Sequence, residues 1–372
     1  MMDLKIITRH APSNYGSLLQ SIATIKILKG MGHQAQIIDY LRPDERGLQA
    51  VLTSLASKRS WNNNLLKKWF YVGVRYPEER CAEVRFNQMR RRYLVLSHRC
   101  SSVSDLQKLD ADVFITGSDQ VWGPMLNDHY DENYFLSFVV DKPKIAYAAS
   151  FGKTEFTPAI IENYKQMLSQ YNAITVREDS AVKMLNNWKT DCVGQVLDPT
   201  LMLTLDEWNQ YTGKEIKKKY VLVYQIHNDR NLGLYAKHFA KSIGLPLIRI
   251  SPYLHQISRE GKLVWLPELG EFLSYIKHCS YFITDSFHGT AFALIFNKQF
   301  FEILPNNNTG SRNLSILRLT GLENRIVSNY NDFDIIKKRI DYNKVNAILA
   351  EERLKSIKIL KDILHIYENS SY

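Results

Sequence analysis

The sequence contains few cysteines and no long apolar run. Its four cysteines, Cys81, Cys100, Cys192 and Cys279, are far apart and form no C-x-x-C pair. This spacing argues against a zinc cluster or a disulfide framework and fits a reducing compartment. No segment approaches the roughly 18 uninterrupted apolar residues that a transmembrane helix needs.

Other signals are missing as well. Metal ligands do not cluster along the sequence and no nucleic-acid-binding motif is present, so we expect neither a metal site nor a nucleic-acid partner. The N-terminus runs straight into the strand-like pair Ile6-Ile7, without the apolar stretch of a signal peptide. We therefore expect a cytoplasmic protein.

The composition is that of an ordinary globular protein, with 45% hydrophobic and 23% charged residues. At 372 residues the chain exceeds what a single core usually supports, so we expect two domains. We place their boundary at Asp198-Pro199, where a proline interrupts the chain. The predicted domains are residues 1–200 and 201–333, followed over 334–372 by helices that pack across both.

Apolar runs alternate with amphipathic stretches along the whole chain. In the first half they predict a helix over Leu18–Met31 and strands over Leu4–Ile7, Gln36–Tyr40, Val113–Thr116, Lys144–Ala148, Ala173–Val176 and Cys192–Leu197. In the second half they predict helices over 231–243, Glu268–Lys277 and from Ala291, and strands over Tyr220–Tyr224, Leu247–Ile250, Tyr281–Ile283 and Phe300–Leu304. This order predicts an α/β fold of two Rossmann-like halves, whose parallel strands place ligands at their carboxyl ends.

The segment Thr284–Thr290 follows one of these strands and precedes a helix. A strand that ends in small polar residues, turns at Gly289 and enters a helix presents backbone N–H groups and a positive dipole end to an anion. At that point His288 is suited to donate to a phosphate or to transfer a proton near neutral pH. The alternative is a plain helix start, with Asp285 or Ser286 as its cap and His288 packed in the core.

Most of the net charge of +10 lies in one region. Residues 56–103 contain eleven lysines and arginines against three glutamates, a net charge of +8. The region is also aromatic, with Trp61, Trp69, Phe70, Tyr71 and Tyr76. We expect a basic helical insertion over about residues 46–105 that contacts the inner face of an anionic membrane peripherally through residues 56–103. The alternative is a solvated insertion whose arginine stems cover a core.

Six short motifs occur in order along the chain. They are Asn14–Gln20, Gly117–Trp122, Ala148–Gly152, Val176–Ser180, Asp198–Thr200 and Asp285–Gly289. In this order they resemble the polysaccharide pyruvyl transferase family, over about Leu4 to Leu322. The resemblance implies transfer of the enolpyruvyl unit of phosphoenolpyruvate onto two hydroxyls of a sugar, with formation of a pyruvate ketal and release of phosphate. It also implies a fold similar to the GT-B glycosyltransferases, with two domains facing across a cleft, and no cofactor besides phosphoenolpyruvate as co-substrate.

The donor carries a carboxylate and a phosphate, so its site needs cationic forks and backbone donors. Arg177, just past a strand, is placed for this, unless it only forms an ion pair with Glu178 or Asp179. In the family, the histidine that corresponds to His288 belongs to the donor site, where it binds phosphate, acts as the acid, or both. The neighbouring Ser286, Phe287 and Gly289 are assigned to the same site.

Some family members carry a basic residue where this chain has Ser286. The missing anion contact has to come from elsewhere, and Arg312, in the loop Asn306–Arg312, is the candidate. A loop arginine that is merely solvated is the alternative.

The first half supplies the expected acceptor side. Its candidate residues all follow strands: Asn14, Tyr15, Gly16, Gln20, Ser118, Asp119, Gln120 and Trp122. Asp119 is suited to orient or deprotonate a sugar hydroxyl, and the Trp122 ring is suited to stack on a sugar face. The competing interpretation makes Asp119 a helix cap and Trp122 a core residue. Asp198-Pro199 is taken as structural.

Two other interpretations of the function stay open beside the pyruvyl transferase. One is a GT-B glycosyltransferase that uses a nucleotide-sugar donor, and the other is a non-catalytic glycan- or lipid-binding module. For the transferase, we expect a hexose such as galactose as acceptor, on an undecaprenyl-diphosphate-linked precursor of a capsule or exopolysaccharide.

Overall fold

The computed structural model describes residues 1–56, 58–125, 129–305 and 310–368. The chain divides into two compact units. Unit 1 contains Met1–Pro199 together with the end of the chain from Ser356, and unit 2 contains Thr200–Lys355. Each unit is built around its own parallel sheet, so the predicted α/β class with two Rossmann-like halves is confirmed.

Unit 1 contains a seven-stranded sheet with the order β3-β2-β1-β4-β5-β6-β7, in which every neighbouring pair is parallel. The strands are β1 (Asp3–Ile7), β2 (Gln34–Tyr40), β3 (Leu96–Cys100), β4 (Val113–Thr116), β5 (Lys144–Ala149), β6 (Ala173–Val176) and β7 (Gly194–Gln195). Their central members are buried along their whole length, because a parallel sheet is covered on both faces and its strands are continuously apolar.

The helices of unit 1 include one long and strongly basic member. They are α1 (Tyr15–Gly30), α2 (Gly47–Ala56), α3 (Arg59–Asn62), α4 (Leu65–Tyr93), α5 (Val103–Leu106), α6 (Pro158–Leu168) and α7 (Asp179–Asn187). The predicted basic insertion therefore forms helices, of which α4 has 29 residues. Within the described ranges, no helix combines the length and the apolar composition that crossing a bilayer requires.

Unit 2 contains a five-stranded parallel sheet with the order β10-β9-β8-β11-β12. Its strands are β8 (Val221–Tyr224), β9 (Leu247–Ser251), β10 (Lys262–Trp265), β11 (Tyr281–Thr284) and β12 (Phe300–Glu302). The remaining helices are α8 (Pro199–Met202), α9 (Leu205–Asn209), α10 (Arg230–Ser242), α11 (Leu269–His278), α12 (Phe287–Ile295), α13 (Ser311–Thr320) and α14 (Tyr342–Glu368). The last of these helices begins in unit 2, and its final turns belong to unit 1.

Three predicted elements differ from the structure. Helix α12 begins at Phe287 and not at Ala291, so His288 and Gly289 lie in its first turn. Arg312 lies in helix α13 and not in a loop, while residues 306–309 of the predicted loop fall outside the described ranges. The strand predicted over Cys192–Leu197 is reduced to two residues.

The glycine in the first turn of α12 is required by close packing. A methyl group at Gly289 would collide with Thr284 Oγ1 and would lie 3.1 Å from Thr284 Cβ. The Thr284 side chain is held in place, because its hydroxyl donates to Tyr224 O at 2.8 Å and accepts from Ser286 N at 3.0 Å. Only glycine therefore allows α12 to start this close to the end of β11.

We expect Gly289→Ala to destabilise the protein by about 1–3 kcal/mol, the usual effect of overpacking, although alanine is the better helix former. Gly73→Ala is the matched control, since Gly73 is also helical and has no atom within 4 Å of an added methyl group. The midpoint of urea unfolding measures both effects. Equal midpoints for the two variants would contradict the packing argument.

Candidate active site

The predicted site segments lie where parallel sheets bind ligands. In each sheet the strand order reverses once, and ligands occupy the crevice at the carboxyl ends of the two strands concerned. In unit 1 these strands are β1 and β4, which lead into Thr8 and into Gly117–Asp119. In unit 2 they are β8 and β11, which lead into Gln225–His227 and into Asp285–Ser286.

Arg177 follows β6 directly, and its side chain is completely buried among carboxylates. Its Nη1 lies 2.8 Å from Asp198 Oδ2, its Nη2 lies 3.5 Å from Asp119 Oδ1, and its Nε lies 3.6 Å from Glu178 Oε2. Burial lowers the pKa of the guanidinium, but the three carboxylates raise it by more, so Arg177 remains charged. One guanidinium with three carboxylates makes this edge of the sheet acidic.

This environment disfavours the predicted role of Arg177 in binding the donor, which stays a prediction. Its N–H groups are directed at carboxylates, and a ligand with a phosphate and a carboxylate would be repelled by the same acids. The alternative of an ion pair with Glu178 is observed, with Asp198 as the closest of the three partners. Arg177 is therefore a buried structural cation of the first sheet.

The acids are themselves held by hydroxyl groups. Ser118 Oγ donates to Asp198 Oδ2 at 2.9 Å, and Ser150 Oγ donates to Glu178 Oε1 at 2.7 Å. Asp198, which we expected only to mark a domain boundary, is thus also the main partner of Arg177. A half-satisfied network of buried charges would be unfavourable, and these hydroxyls supply the remaining hydrogen bonds.

Asp119 is the most accessible member of the cluster. Its side chain is 12% exposed, against 0% for Arg177 and Asp198. Its Oδ2 accepts from Ser17 Oγ at 2.7 Å, and its Oδ1 accepts from the backbone N–H of Gln120 at 2.9 Å. The residue has a φ of 74°, a left-handed conformation that aspartate tolerates better than most residues. Asp119 stabilises its own turn rather than a helix.

The residues predicted around the start of α1 are mainly structural. Asn14 is the N-cap of α1 and accepts from Gly16 N at 2.8 Å. The Tyr15 ring is buried with its centroid 4.9 Å from that of Phe86. The buried Gln20 amide donates to Thr8 Oγ1 at 2.9 Å. Of this group, only Asn14 is partly exposed.

Trp122 corrects the prediction of a sugar-stacking ring. It is 0% exposed, and its centroid lies 5.1 Å from Phe151, 5.6 Å from Phe135 and 5.8 Å from Tyr171. A ring packed on several sides by aromatic side chains offers no face to a ligand. Trp122 is a core residue, as the competing interpretation stated.

In unit 2, the residues around the start of α12 fix the local backbone. Ser286 is the N-cap, and its Oγ accepts from Gly289 N at 3.3 Å. The buried carboxylate of Asp285 accepts from Ile226 N at 2.8 Å and from His227 N at 2.9 Å. These contacts join the turn after β8 to the turn after β11, the two strands at which the order reverses.

His288 occupies the first turn of α12 and is 8% exposed. Its ring packs edge-to-face against Phe287, with centroids 5.2 Å apart. The helix start is capped, as the alternative interpretation held, and His288 is nearly buried. The imidazole nevertheless lies at the positive end of the helix dipole.

Glu302, at the end of β12, joins this helix to the one that carries Arg312. Its carboxyl group is bonded to Thr290 Oγ1 in α12 and accepts from Asn313 Nδ2 in α13 at 2.6 Å. Because Thr290 is two residues from His288 and Asn313 is next to Arg312, this bridge holds an imidazole and a guanidinium in neighbouring first turns. Arg312 is only 7% exposed, so the alternative of a solvated loop arginine is wrong.

Two residues at this edge escaped the sequence analysis. His227 Nδ1 lies 3.3 Å from Asp285 Oδ2, and its side chain is 26% exposed. The only signal for His227 was its position just after the apolar run of β8. Glu302 gave no signal, because a single acid at the end of an apolar strand does not reveal its distant partners. In the part of the chain that the structure describes, no three His, Cys, Asp or Glu side chains are arranged to hold a metal ion.

The family model for polysaccharide pyruvyl transferase matches residues 14–308. The chain belongs to this family. It is thus related to transferases of polysaccharide biosynthesis. The match includes Gly117–Asp119 of unit 1 and both turns of the unit 2 switch point, but neither Thr8 nor Arg312. No curated protein sequence matches it significantly.

Solved structures share the fold across the whole chain at low identity. Staphylococcus aureus MnaA with UDP is 12% identical with a TM-score of 0.53, covering 98% of this chain and 97% of its own. Anabaena HepE with UDP and glucose is 7% identical with a TM-score of 0.53, covering both chains completely. The Neisseria meningitidis UDP-GlcNAc 2-epimerase bound to UDP-GlcNAc is 12% identical with a TM-score of 0.51, covering 98% and 99%. These similarities establish a GT-B-like fold and nothing about the substrate.

The Glu302 bridge predicts a pH dependence of stability. Burial raises the pKa of Glu302 well above 4.5, and the hydrogen bonds from Thr290 and Asn313 offset only part of this effect. The folded protein therefore retains a proton that the unfolded chain releases, and stability falls as the pH rises above about 4.5. Glutamine has the shape of the protonated acid, so Glu302→Gln should remove this loss.

The measurement is urea unfolding of wild type and Glu302→Gln between pH 5 and pH 8. We expect the glutamine variant to gain stability relative to wild type as the pH rises. Glu302→Ala should cost about 1–3 kcal/mol at every pH, because Thr290 and Asn313 lose their partner. If the free energy of unfolding changed equally with pH in wild type and in Glu302→Gln, this result would contradict a raised pKa of Glu302.

Proposed function

We propose that the protein transfers the enolpyruvyl unit of phosphoenolpyruvate onto two hydroxyls of a sugar. Two C–O bonds form between the hydroxyl oxygens and the central enolpyruvyl carbon, and the bond from this carbon to the phosphate oxygen breaks. The two hydroxyls release two protons. One proton equivalent converts the methylene carbon to a methyl group, and the other leaves with phosphate. No metal or cofactor is needed for this balance.

The distribution of charge between the two units supports this reaction. The strand ends of unit 1 present three carboxylates around a buried guanidinium, a surrounding that disfavours an anion. In unit 2, the first turn of α12, at the switch point, carries an imidazole, and the first turn of the neighbouring α13 carries a guanidinium. Such a surrounding favours an anion. We assign phosphoenolpyruvate to unit 2, with His288 and Arg312 as its principal contacts. Ser286, Phe287 and Gly289 shape that turn.

Unit 1 is assigned to the sugar hydroxyls. Asp119 is the accessible carboxylate of its cluster, and it is oriented by Ser17, by Gln120 N and by the Arg177 guanidinium 3.5 Å away. A carboxylate held in this way is suited to accept a proton from an attacking hydroxyl. Asn14 and Gln120, which are both partly exposed, are the remaining acceptor contacts. His288 is suited to supply the proton for the methylene carbon and to bind phosphate.

For the acceptor, we propose a hexose such as galactose in a lipid-linked, undecaprenyl-diphosphate-borne precursor of a capsule or exopolysaccharide. The family match supports a role in polysaccharide assembly. The basic and aromatic helix α4 supports an acceptor that is carried on a lipid diphosphate. We propose that this acceptor is modified in the cytoplasm, at the inner face of the membrane.

The test of the reaction is incubation with phosphoenolpyruvate and a galactoside, with measurement of released phosphate and of the product mass. We expect phosphate and a pyruvylated sugar in equal amounts, also in the presence of EDTA. His288→Ala and Asp119→Asn should each lower kcat by about 10²–10⁴-fold, the usual contribution of a general acid or base. Turnover of a nucleotide sugar without release of phosphate would instead identify a glycosyltransferase, and dependence on added magnesium or manganese would contradict the metal-free mechanism.

A second prediction separates donor binding from structural support. Titration calorimetry with phosphoenolpyruvate should show at least about tenfold weaker binding for Arg312→Gln, since charge-assisted hydrogen bonds contribute roughly 1.5–3 kcal/mol. Arg177→Lys should bind the donor as wild type does and should lose thermal stability, because lysine cannot satisfy three acids as guanidinium does. Asp119→Asn serves as the control on the acceptor side. Weaker donor binding by Arg177→Lys with unchanged Arg312→Gln would overturn the assignment.

A further inference from the structure

Helix α4 exposes a broad apolar face at its N-terminal end. Leu65, Leu66, Trp69 and Phe70 are 73%, 84%, 67% and 66% exposed. Their spacing of one, three and one residues places them on one side of a helix. Tyr71 and Val72, which follow directly, are buried in a cluster with residues of α2. The helix is thus apolar on its packed face and also on part of its solvent face.

The size of this face is unusual for a soluble protein. A whole aromatic side chain has an area of roughly 150–250 Å², so Trp69 and Phe70 alone expose about 200–330 Å². Val74 and Tyr76 extend the face and are 52% and 39% exposed. Contiguous apolar patches beyond a few hundred Å² mark interaction sites.

Basic residues border the face. Lys67 and Lys68 lie within its first turns, whereas Arg75 and Arg80 are paired with Glu78 and Glu83 of the same helix. Trp61 is 38% exposed nearby, and its ring centroid lies 6.0 Å from that of Tyr71. Leucine, tryptophan and phenylalanine on one side with flanking lysines is the pattern of helices that lie in the membrane interface.

The positive charge beside this apolar face favours one kind of binding partner over another. A second copy of the chain would bring two faces of the same positive sign together, which opposes association. Anionic lipid headgroups would neutralise the lysines while the apolar side chains enter the acyl boundary. We infer that the N-terminal half of α4 binds the surface of an anionic membrane, with Trp69 and Phe70 as its apolar anchors.

Only part of the predicted basic region takes part in this contact. Arg90 is 3% exposed, and its Nη1 donates to Ala11 O at 2.7 Å and to His10 O at 3.2 Å. Burial lowers the pKa of Arg90 to about 10, and the charge of Arg46 contributes in the same direction. Arg90 thus supports the turn after β1 from inside unit 1, whereas the neighbouring Arg91 and Arg92 are exposed.

The experiment is co-sedimentation of the full-length protein with vesicles of phosphatidylcholine containing 30 mol% phosphatidylglycerol, a composition in the regime where basic helices bind. We expect the wild type to sediment with these vesicles, to bind pure phosphatidylcholine less, and to be released by high salt. The double variant Trp69→Gln/Phe70→Gln should bind at least about tenfold more weakly. Lys67→Glu/Lys68→Glu should lower binding to anionic vesicles only.

Ile257→Gln/Leu354→Gln is the matched control, since Ile257 and Leu354 are 68% and 72% exposed outside this face. It should bind vesicles as wild type does. Three results would overturn the inference: no binding of wild type to anionic vesicles, equal binding by the Trp69/Phe70 variant, or a dimer in sedimentation velocity that this variant abolishes. Phosphate release from phosphoenolpyruvate in free solution should be unchanged in all three variants, so failure of the membrane inference is distinguishable from failure of the proposed reaction.

Discussion

The buried ion pair between Arg177 and Asp198 is the constraint on which the chemistry of unit 1 depends. A guanidinium with no solvent access is stable only when acids and hydroxyls surround it, and here Asp119, Glu178 and Ser118 complete that surrounding. These residues come from the ends of different strands, so the ion pair also fixes the relative positions of the turns that follow those strands. Its consequence is an acidic edge, which suits hydroxyl groups better than a phosphate.

Unit 2 carries a different set of charged groups on the same topology. Its switch point has a capped helix start at Ser286, and the carboxyl group of Glu302 bonds that helix to its neighbour. Burial raises the pKa of Glu302, which disfavours a negative charge on the group that connects the two helices. The first sheet thus ends in three carboxylates around one buried guanidinium, whereas the second has His288 and Arg312 beside Asp285 and Glu302. This difference underlies the proposed assignment of hydroxyls to unit 1 and of the anionic donor to unit 2.

The sequence predicts the fold better than the site, for physical reasons. Runs such as Val113–Thr116 and Ala173–Val176 are buried on both faces and flanked by polar turns, so periodicity alone locates them. The start of α12 was misplaced because Gly289 indicates a turn locally, whereas the structure needs it for close packing on Thr284. The partners of Arg177 lie up to 59 residues away in the sequence, and the aromatic neighbours of Trp122 are similarly dispersed. Local sequence patterns do not reveal such contacts. The position of a residue at a strand end could therefore be predicted, but the orientation of its side chain could not.

The assignment of donor and acceptor to the two units depends on where the donor anion binds. A crystal structure of the protein soaked with phosphoenolpyruvate tests this most directly, because the phosphate and the carboxylate are both visible. The account predicts that the phosphate lies at the first turn of α12, within hydrogen-bonding distance of His288, with Arg312 contacting one of the two anionic groups. A donor bonded to the Arg177 guanidinium, with Asp119 and Asp198 displaced from it, would contradict the central claim.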